Sequence, residues 1–217
     1  MYGDNRAGGR IAVLVEAHFD ETEYRRFNEF FPEHGYAVDY VSHLWNQPSL
    51  TFKGNDMTAE VTVVIEADSL DLADYRGLIL IGGYAMDRLR YEEHPKKGES
   101  NRAPAVELLR RAVAEMDAGR LQIGTICHSM WLFCAAPELL QGRHVTCAHN
   151  ILCDVQAAGA DVVFDGDQTA ETVVDGGLVS ARHPGVVEQF MRVYLEELGK
   201  AKQAPRHEVA ATAAKED

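Results

Sequence analysis

Apolar residues along this chain fall into two patterns, which predict alternating strands and helices. The runs at 10–16 and 78–81 are almost wholly apolar, as is typical of central parallel strands that are buried on both faces. The segment 105–119 instead places its apolar side chains on one helical face. Similar patterns predict further strands at 36–41, 60–65, 144–147, 161–164, 172–174 and 178–180, and further helices at 21–31, 150–158 and 185–198.

Strands that alternate with helices predict an α/β fold with a doubly wound, mainly parallel sheet that is sandwiched by helices. We expect one domain over 10–199, preceded by a flexible lead at 1–9 and followed by a flexible tail at 200–217. Right-handed crossovers bring the ends of parallel strands to one edge of the sheet. That edge should gather three segments, which are 16–20, 82–87 and 127–128.

The composition excludes several classes of partner. The 217 residues carry a net charge of −13, and 46% of them are hydrophobic, which is enough for a full core. The negative charge argues against nonspecific binding to nucleic acid or to an anionic membrane. No apolar run reaches the roughly 18–20 residues of a membrane span, and the first residues contain no apolar signal-peptide core. We therefore expect a cytoplasmic protein without nucleic-acid or membrane partners.

The four cysteines do not form a familiar metal site. No pair has C-x-x-C spacing, and the successive separations of 7, 13 and 6 residues match no common zinc motif. His18 and His149 likewise lack the spacing of a metal motif. We expect free thiols in a reducing compartment, and neither a metal nor a cofactor. The cysteines are Cys127, Cys134, Cys147 and Cys153.

Cys127 stands where a predicted strand turns into a predicted helix. It follows the apolar run 121–126, and the next stretch, 129–136, has the composition of a buried helix. A nucleophile at such a corner forms a nucleophile elbow, in which backbone N–H groups and the helix dipole stabilise a thiolate. The pattern predicts a nucleophilic Cys127, and the alternative is an inert core cysteine.

Four segments carry a further signal: an acidic loop in 13–24, a glycine pair in 78–87, Cys-His in 126–128, and a strand pair in 157–161 with 173–180. In this order and spacing they resemble the DJ-1/PfpI superfamily, also called ThiJ, and its PfpI-like branch in particular. The resemblance extends over 10–198. It implies a flavodoxin-like fold, shared with class I glutamine amidotransferase domains, with the cysteine at a nucleophile elbow.

The resemblance also implies roles for the residues around the cysteine. In the PfpI-like branch the histidine that follows the cysteine is the base, and it pairs with an acid from a neighbouring subunit. This implies His128 as the base, Asp87 as the acid, and a homodimer or higher homo-oligomer. Asp87 lies four residues after Gly83, where a carboxylate can instead cap a helix, and both interpretations stay open. The backbone N–H groups of Gly83 and His128 are the implied oxyanion donors.

The family places a Glu of the acidic loop against the thiol. By its spacing to Glu23, the matching position here is Asp20, and Glu16 is the fallback carboxylate. A protonated Asp20 would donate a hydrogen bond to the thiolate, an ionised Asp20 could act as general base, and the alternative is a solvated loop acid.

The pocket should differ from that of the branch at the start of the elbow helix. The branch usually has Gly-Pro after Cys-His, where this chain has Ser129-Met130. The candidate pocket residues are Glu16, His18, Tyr84, Ser129 and His149.

The predicted function is that of a cysteine-dependent enzyme acting on a small-molecule carbonyl or amide-like substrate. The resemblance implies either a hydrolase of amide or peptide bonds, or a glyoxalase III- or deglycase-like lyase. Asp20 leaves isonitrile hydration open, because isonitrile hydratases of the superfamily have an Asp there. A separate alternative is a non-enzymatic stress-response protein in which Cys127 senses oxidants.

Overall fold

Thirteen strands and six α-helices make up residues 8–200, which are the part of the chain that this computed structural model describes. Most of the predicted lead and tail, namely 1–7 and 201–217, lies outside the described residues. The strands are β1 (Arg10–Leu14), β2 (Ala37–Ser42), β3 (Leu50–Lys53), β4 (Glu60–Val63), β5 (Ile65–Glu66), β6 (Gly77–Leu80), β7 (Gln122–Ile126), β8 (His144–Val145), β9 (Asp161–Val162), β10 (Phe164–Asp165), β11 (Gln168–Thr169), β12 (Thr172–Asp175) and β13 (Leu178–Ala181). The helices are α1 (Glu21–Glu33), α2 (Ala85–Leu89), α3 (Pro104–Asp117), α4 (Trp131–Cys134), α5 (Leu152–Ala157) and α6 (Val187–Leu198).

The central sheet has seven strands in the order β12-β13-β7-β6-β1-β2-β5. All neighbours are parallel except β12 and β13, which form an antiparallel hairpin. The five inner strands, β2-β1-β6-β7-β13, follow the 2-1-3-4-5 order of flavodoxin-like folds. The predicted doubly wound, mainly parallel sheet is therefore confirmed.

The middle of the sheet is fully enclosed by the flanking helices. Every residue of β6 and β7 is buried, as are all residues of β1 after Arg10. Helix α6 packs against β7 and β13 and also contacts α1, whereas α3 packs against β7 and α4. Burial on both faces explains why these strands are continuous apolar runs rather than alternating ones. Among the described residues, none of the helices is long and apolar enough to cross a membrane.

Several element boundaries differ from the predicted ones. Helix α1 continues through Pro32 to Glu33, although Pro32 has no N–H to donate to the carbonyl oxygen of Asn28. The predicted strand 60–65 divides into β4, in a small hairpin with β3, and β5, in the central sheet. The helix predicted after the cysteine shrinks to the four residues of α4, preceded by a tight turn.

The loops that follow β1, β6, β7 and β13 lie at one edge of the sheet. The registers align Leu14 with Leu80 and Ala181 with Ile126, so the four loops begin at nearly the same height. In flavodoxin-like folds, ligands bind at this edge, where the carboxyl ends of the strands meet. The predicted site residues lie on or near these loops.

Candidate active site

Cys127 occupies the corner between β7 and the turn that leads into α4. Its φ angle is 60°, in the left-handed region that non-glycine residues rarely adopt. Its N–H donates to the carbonyl oxygen of Ala181 at 2.9 Å, which ties the corner to the neighbouring strand. The side chain is nearly enclosed, with 8% of the residue exposed. This is the backbone conformation of a nucleophile elbow, in which strain is maintained by the surrounding sheet.

Two backbone N–H groups are directed at the Cys127 sulfur, those of Gly83 and His128. Gly83 has a φ of 74°, and a β-carbon there would lie 2.3 Å from the carbonyl oxygen of His18 and 2.7 Å from the nitrogen of Asp20. Only glycine allows the loop after β6 to approach so closely. The two N–H groups can stabilise negative charge on sulfur or on a substrate oxygen beside it.

Glu23 lies against the same corner and is completely buried. Its Oε2 accepts a hydrogen bond from the N–H of Gly82 at 2.6 Å. A β-carbon on Gly82 would lie 2.5 Å from Glu23 Oε1 and 3.0 Å from Cys127 Cβ, so the carboxyl group and the cysteine side chain flank the same glycine. Oε1 has no hydrogen-bond partner among the described residues.

Burial controls the ionisation of both groups. It raises the pKa of Glu23 well above its usual range, assisted by the negative charge of Asp20 and opposed by the Gly82 N–H. The pKa of Cys127 is raised to about 12, and burial is the largest cause. The negative charges of Glu23 and Asp20 raise it further, whereas the N–H groups of His128 and Gly83 lower it. The resting pair therefore favours a protonated Glu23 next to a thiol.

This electrostatic result corrects the expectation that the elbow by itself stabilises a thiolate. Two features that were expected to lower the pKa of Cys127 are weaker than the sequence indicated. Helix α4 has only four residues and supplies little dipole. The enclosed position of the sulfur raises its pKa by more than the two N–H groups lower it. A base is therefore needed to form the thiolate.

The structure places Asp20 differently from the sequence-based expectation. Asp20 is the N-cap of α1, and its Oδ1 accepts from the N–H groups of Thr22 at 2.9 Å and Glu23 at 3.0 Å. Its charge acts on Cys127 less than that of Glu23 does. Glu23, which was not among the predicted site residues, is the carboxyl group that flanks the cysteine. The correction follows from helical geometry, because a cap side chain turns back to its own helix.

The chain did contain a signal for Glu23. Helix α1 has the pattern Asp-x-x-Glu of a capping box, which puts Glu23 in the first turn. Glu23 also precedes Phe27, Phe30 and Phe31 at helical spacing, on the stripe that faces the core. An acidic residue on the buried face of a helix at a strand edge is a candidate for function.

His128 has its own set of contacts. Its Nε2 lies 2.9 Å from Oδ1 of Asn150, and its buried Nδ1 has no partner among the described residues. The ring is held between Tyr84, at 5.4 Å between centroids, and Trp131, at 5.1 Å. Within this chain Asp87 does not occupy the position of an acid beside His128. It bonds to Arg90 at 2.6 Å and is half exposed on α2.

A cleft of about 840 Å³ opens over Cys127. Of the candidate pocket residues, Tyr84 and His149 line it, whereas the other three do not. Glu16 accepts from Arg88 at 3.2 Å, His18 uses its backbone to bridge neighbouring loops, and the buried Ser129 hydroxyl accepts from the N–H of Ile126 at 2.7 Å. Ser129 therefore braces the elbow from beneath.

One wall of the cleft is formed by residues that were not predicted as site residues. The residues after β13, including Arg182 and His183, face Cys127 across it, and Asn55 and Asn150 complete the rim. Arg182 donates to Gln168 Oε1 and to the Thr169 carbonyl oxygen, both at 2.8 Å. The available signal was topological, because the residue after a parallel strand lies at the ligand-binding edge.

The four cysteines are free thiols, and residues 8–200 contain no group of three or more His, Cys, Asp or Glu side chains arranged to hold a metal ion.

The elbow, the sheet order and the buried Glu–Cys pair coincide with a match to the DJ-1/PfpI family model over residues 9–197. The chain belongs to the DJ-1/PfpI family. The expected membership and flavodoxin-like fold are confirmed.

Relatives within the DJ-1/PfpI family cover nearly the whole domain. General stress protein 18 of Bacillus subtilis is 28% identical over 193 residues, which are 89% of this chain and 99% of that protein. Protein/nucleic acid deglycase 2 of Escherichia coli is 30% identical over 195 residues, 88% of this chain and 98% of that protein. A crystal structure from Anabaena variabilis, with DJ-1/ThiJ/PfpI-like and ferritin-like domains, superposes with a TM-score of 0.73 at 21% identity, covering 93% of this chain. This chain spans about half, 51%, of that two-domain protein.

Proposed function

We propose that this DJ-1/PfpI protein is a cysteine-dependent enzyme that acts on small reactive carbonyl compounds, either 2-oxoaldehydes or their adducts with amines. The observation that carries the proposal is the Cys127 sulfur, which faces the N–H groups of Gly83 and His128 and lies beside the buried Glu23. The deglycase named among the relatives supports this class of substrate.

The chemistry begins with attack of the Cys127 thiolate on the aldehyde carbon. The C–S bond forms as the carbonyl π bond breaks, and the new oxyanion is directed toward the N–H groups of Gly83 and His128. A proton then returns to this oxygen, which gives a hemithioacetal. In this proposal the proton released by the thiol is taken by His128.

A 2-oxoaldehyde can complete the reaction without an external oxidant. The proton on the former aldehyde carbon moves to a base and then to the adjacent ketone carbon, so the first carbon is oxidised to a thioester and the second is reduced to an alcohol. Water cleaves the thioester, and the net change is addition of one water to give a 2-hydroxy acid. With a hemiaminal adduct, the C–N bond breaks first: the hydroxyl proton moves to the departing amine and the aldehyde carbonyl re-forms, so that the thiolate can attack it as above. His128 is placed to carry these protons because it lines the same cleft.

The test is turnover of methylglyoxal by the wild-type protein, Cys127→Ser and His128→Ala, with lactate as the measured product. Parallel panels of amide and isonitrile substrates cover the hydrolase and hydratase alternatives. The proposal predicts lactate from the wild-type protein and a collapse in both variants. Unchanged turnover on every panel in both variants would rule out cysteine-dependent catalysis. The isonitrile alternative rests on Asp20, which caps α1 through Oδ1 and also lines the cleft.

A second candidate function is oxidation sensing by Cys127. It is favoured by Glu23, whose protonated carboxyl group can donate a hydrogen bond to a sulfinate oxygen, and by the stress protein among the relatives. Graded hydrogen peroxide followed by mass spectrometry tests it. A sensor accumulates sulfinic acid at Cys127 equally in the wild-type protein and in His128→Ala, whereas catalysis requires His128.

The proposal includes cytoplasmic location and a homo-oligomer, in which Asp87 of a second copy approaches His128. Exposed Tyr84 and Tyr91, 52% and 61% accessible, lie on either side of α2 and offer apolar contact area beside Asp87. Analytical ultracentrifugation of the wild-type protein and Asp87→Ala tests this arrangement. A monomeric wild-type protein that retains turnover would exclude it.

A further inference from the structure

One ring nitrogen of His128 is satisfied and the other is not, and the satisfied one is held by a residue far away in sequence. Nε2 lies 2.9 Å from Oδ1 of Asn150, which is in the short turn before α5. Nδ1 is buried and has no partner among the described residues. A carbonyl oxygen only accepts, so the contact requires the proton on Nε2.

The surroundings of Nδ1 lead to the same tautomer. If Nδ1 carried the proton, an N–H donor would be buried without an acceptor, which is the more costly of the two unsatisfied states. With the proton on Nε2, Nδ1 keeps a free lone pair. His128 as a residue lines the cleft next to Cys127, while its Nδ1 lies on the buried side of the ring.

The ring cannot easily exchange its two nitrogens. It lies between the rings of Tyr84 and Trp131, and Trp131 is itself held by a 2.9 Å hydrogen bond from Nε1 to Oδ2 of Asp154. The guanidinium of Arg90 covers the outer side of Trp131 at 5.2 Å. The aromatic contacts fix the plane of the imidazole, and the hydrogen bond to Asn150 fixes the position of Nε2.

Resting on the function proposed above, we propose that Asn150 is the positioning residue of the active site. It holds neutral His128 as the Nε2–H tautomer, which leaves the lone pair of the ring on the buried Nδ1. When Nδ1 accepts a proton, the imidazolium keeps its Nε2–H bond to Asn150. A neutral amide orients the base in the same way in cysteine hydrolases of the Cys-His-Asn type.

The direct test is a two-bond ¹H–¹⁵N NMR spectrum of protein with labelled histidine, in which His128 is assigned by its disappearance in His128→Gln. At a pH where the ring is neutral, the wild-type protein should show a pyrrole-type Nε2 and a pyridine-type Nδ1. Asn150→Leu should shift both signals toward a mixture of tautomers. A proton on Nδ1 in the wild-type protein overturns the proposal, and so does an unchanged pattern in a folded Asn150→Leu. The wild-type spectrum decides even if that variant does not fold.

Kinetics with the substrate found by the panels provide the second readout. Asn150→Leu should lower kcat about tenfold or more with little change in KM, because it disturbs the base and not the cleft wall. Asn150→Asp keeps the acceptor and adds a charge that favours the imidazolium, so the pH at which turnover falls on the acid side should rise. The other titratable or charged groups around His128 lie in the cleft, beside Cys127 or on Trp131: Cys127, Asp20, Tyr84, His149, Arg182, His183, Glu23, Asp154 and Arg90.

Asn55→Asp is the matched control, because Asn55 lines the same cleft without a hydrogen bond to His128. It should move the acid side of the profile less than Asn150→Asp does. An equal shift would assign the effect to cleft charge and overturn the positioning role. If no panel substrate is turned over, the proposed function fails, while the NMR spectrum still decides the tautomer by itself.

Discussion

Glu23 accepts a 2.6 Å hydrogen bond from the N–H of Gly82, and this bond holds its carboxyl group on the glycine that Cys127 packs against. The first turn of α1, the end of β6 and the elbow after β7 thereby meet at one point. Burial raises the pKa of both the acid and the thiol beside it, and burying the acid lowers folding stability at neutral pH.

Glu23→Gln should be more stable than the wild-type protein at neutral pH. Burial raises the pKa of Glu23, so the folded state holds this proton at a pH where the unfolded state, with a pKa of about 4.3, has released it. Stability from this group is therefore present below about pH 4.3 and is lost as pH rises. The advantage of the variant in urea unfolding should grow by at least about 1 kcal/mol between pH 4.5 and 7.5.

Glu21→Gln is the matched control with the opposite sign. Burial acts to raise the pKa of Glu21, but hydrogen bonds from Thr58 and the charge of Arg25 outweigh it and lower the pKa. Stability from Glu21 is present above about pH 4.3 and is lost as pH falls. This variant should be less stable than the wild-type protein at pH 7.5, with a difference that shrinks toward pH 4. The same sign in both variants would contradict the assigned ionisation states.

Asp20 should behave as a helix cap in mutagenesis. Asp20→Ala removes the acceptor of two N–H groups and should lower the free energy of unfolding by about 1 kcal/mol, whereas Asp20→Asn keeps the acceptor and should cost little. Urea unfolding measures both. Turnover that is retained in Asp20→Asn agrees with a cap; its complete loss in a folded Asp20→Asn would return Asp20 to the role of a general base.

Cys127→Ala should reduce turnover on the order of 10³-fold or more, since it removes the proposed nucleophile. Cys153→Ser provides the control, because Cys153 is an exposed free thiol on α5 and does not line the cleft. It should keep wild-type kinetics. Product formation from the identified substrate is the measurement, and equal loss in both variants would show that the effect is not specific to the elbow.

Gly83→Ala should damage both the fold and the site. The new β-carbon would meet the His18 carbonyl oxygen at 2.3 Å, so the loop must shift and carry its N–H away from Cys127. Loss of one such donor costs about 10²–10³ in kcat. Gly119→Ala has the same φ of 74° with nothing within 4 Å, so it should show the backbone strain of roughly 1–2 kcal/mol and unchanged kcat. Equal kcat in the two variants would exclude Gly83 as a donor.

Much of the fold followed from sequence because the central strands are buried on both faces. Such strands must be apolar throughout, and the runs at 10–16 and 78–81 therefore predict the middle of a parallel sheet. Short elements were less predictable. The segment after Cys127 is apolar enough for a long helix, yet the packing of Ser129 under the elbow leaves only the four residues of α4.

By itself the sequence determined the fold class, the position of the elbow and the identity of Cys127 as its corner residue, because these depend on local order along the chain. Tertiary structure decided which groups face that corner. Helical phase turns Glu23 inward and leaves Asp20 at the cap, and Asn150 reaches His128 across 22 residues of sequence. Burial, which exists only in the folded chain, then determines that the resting Cys127 is a thiol.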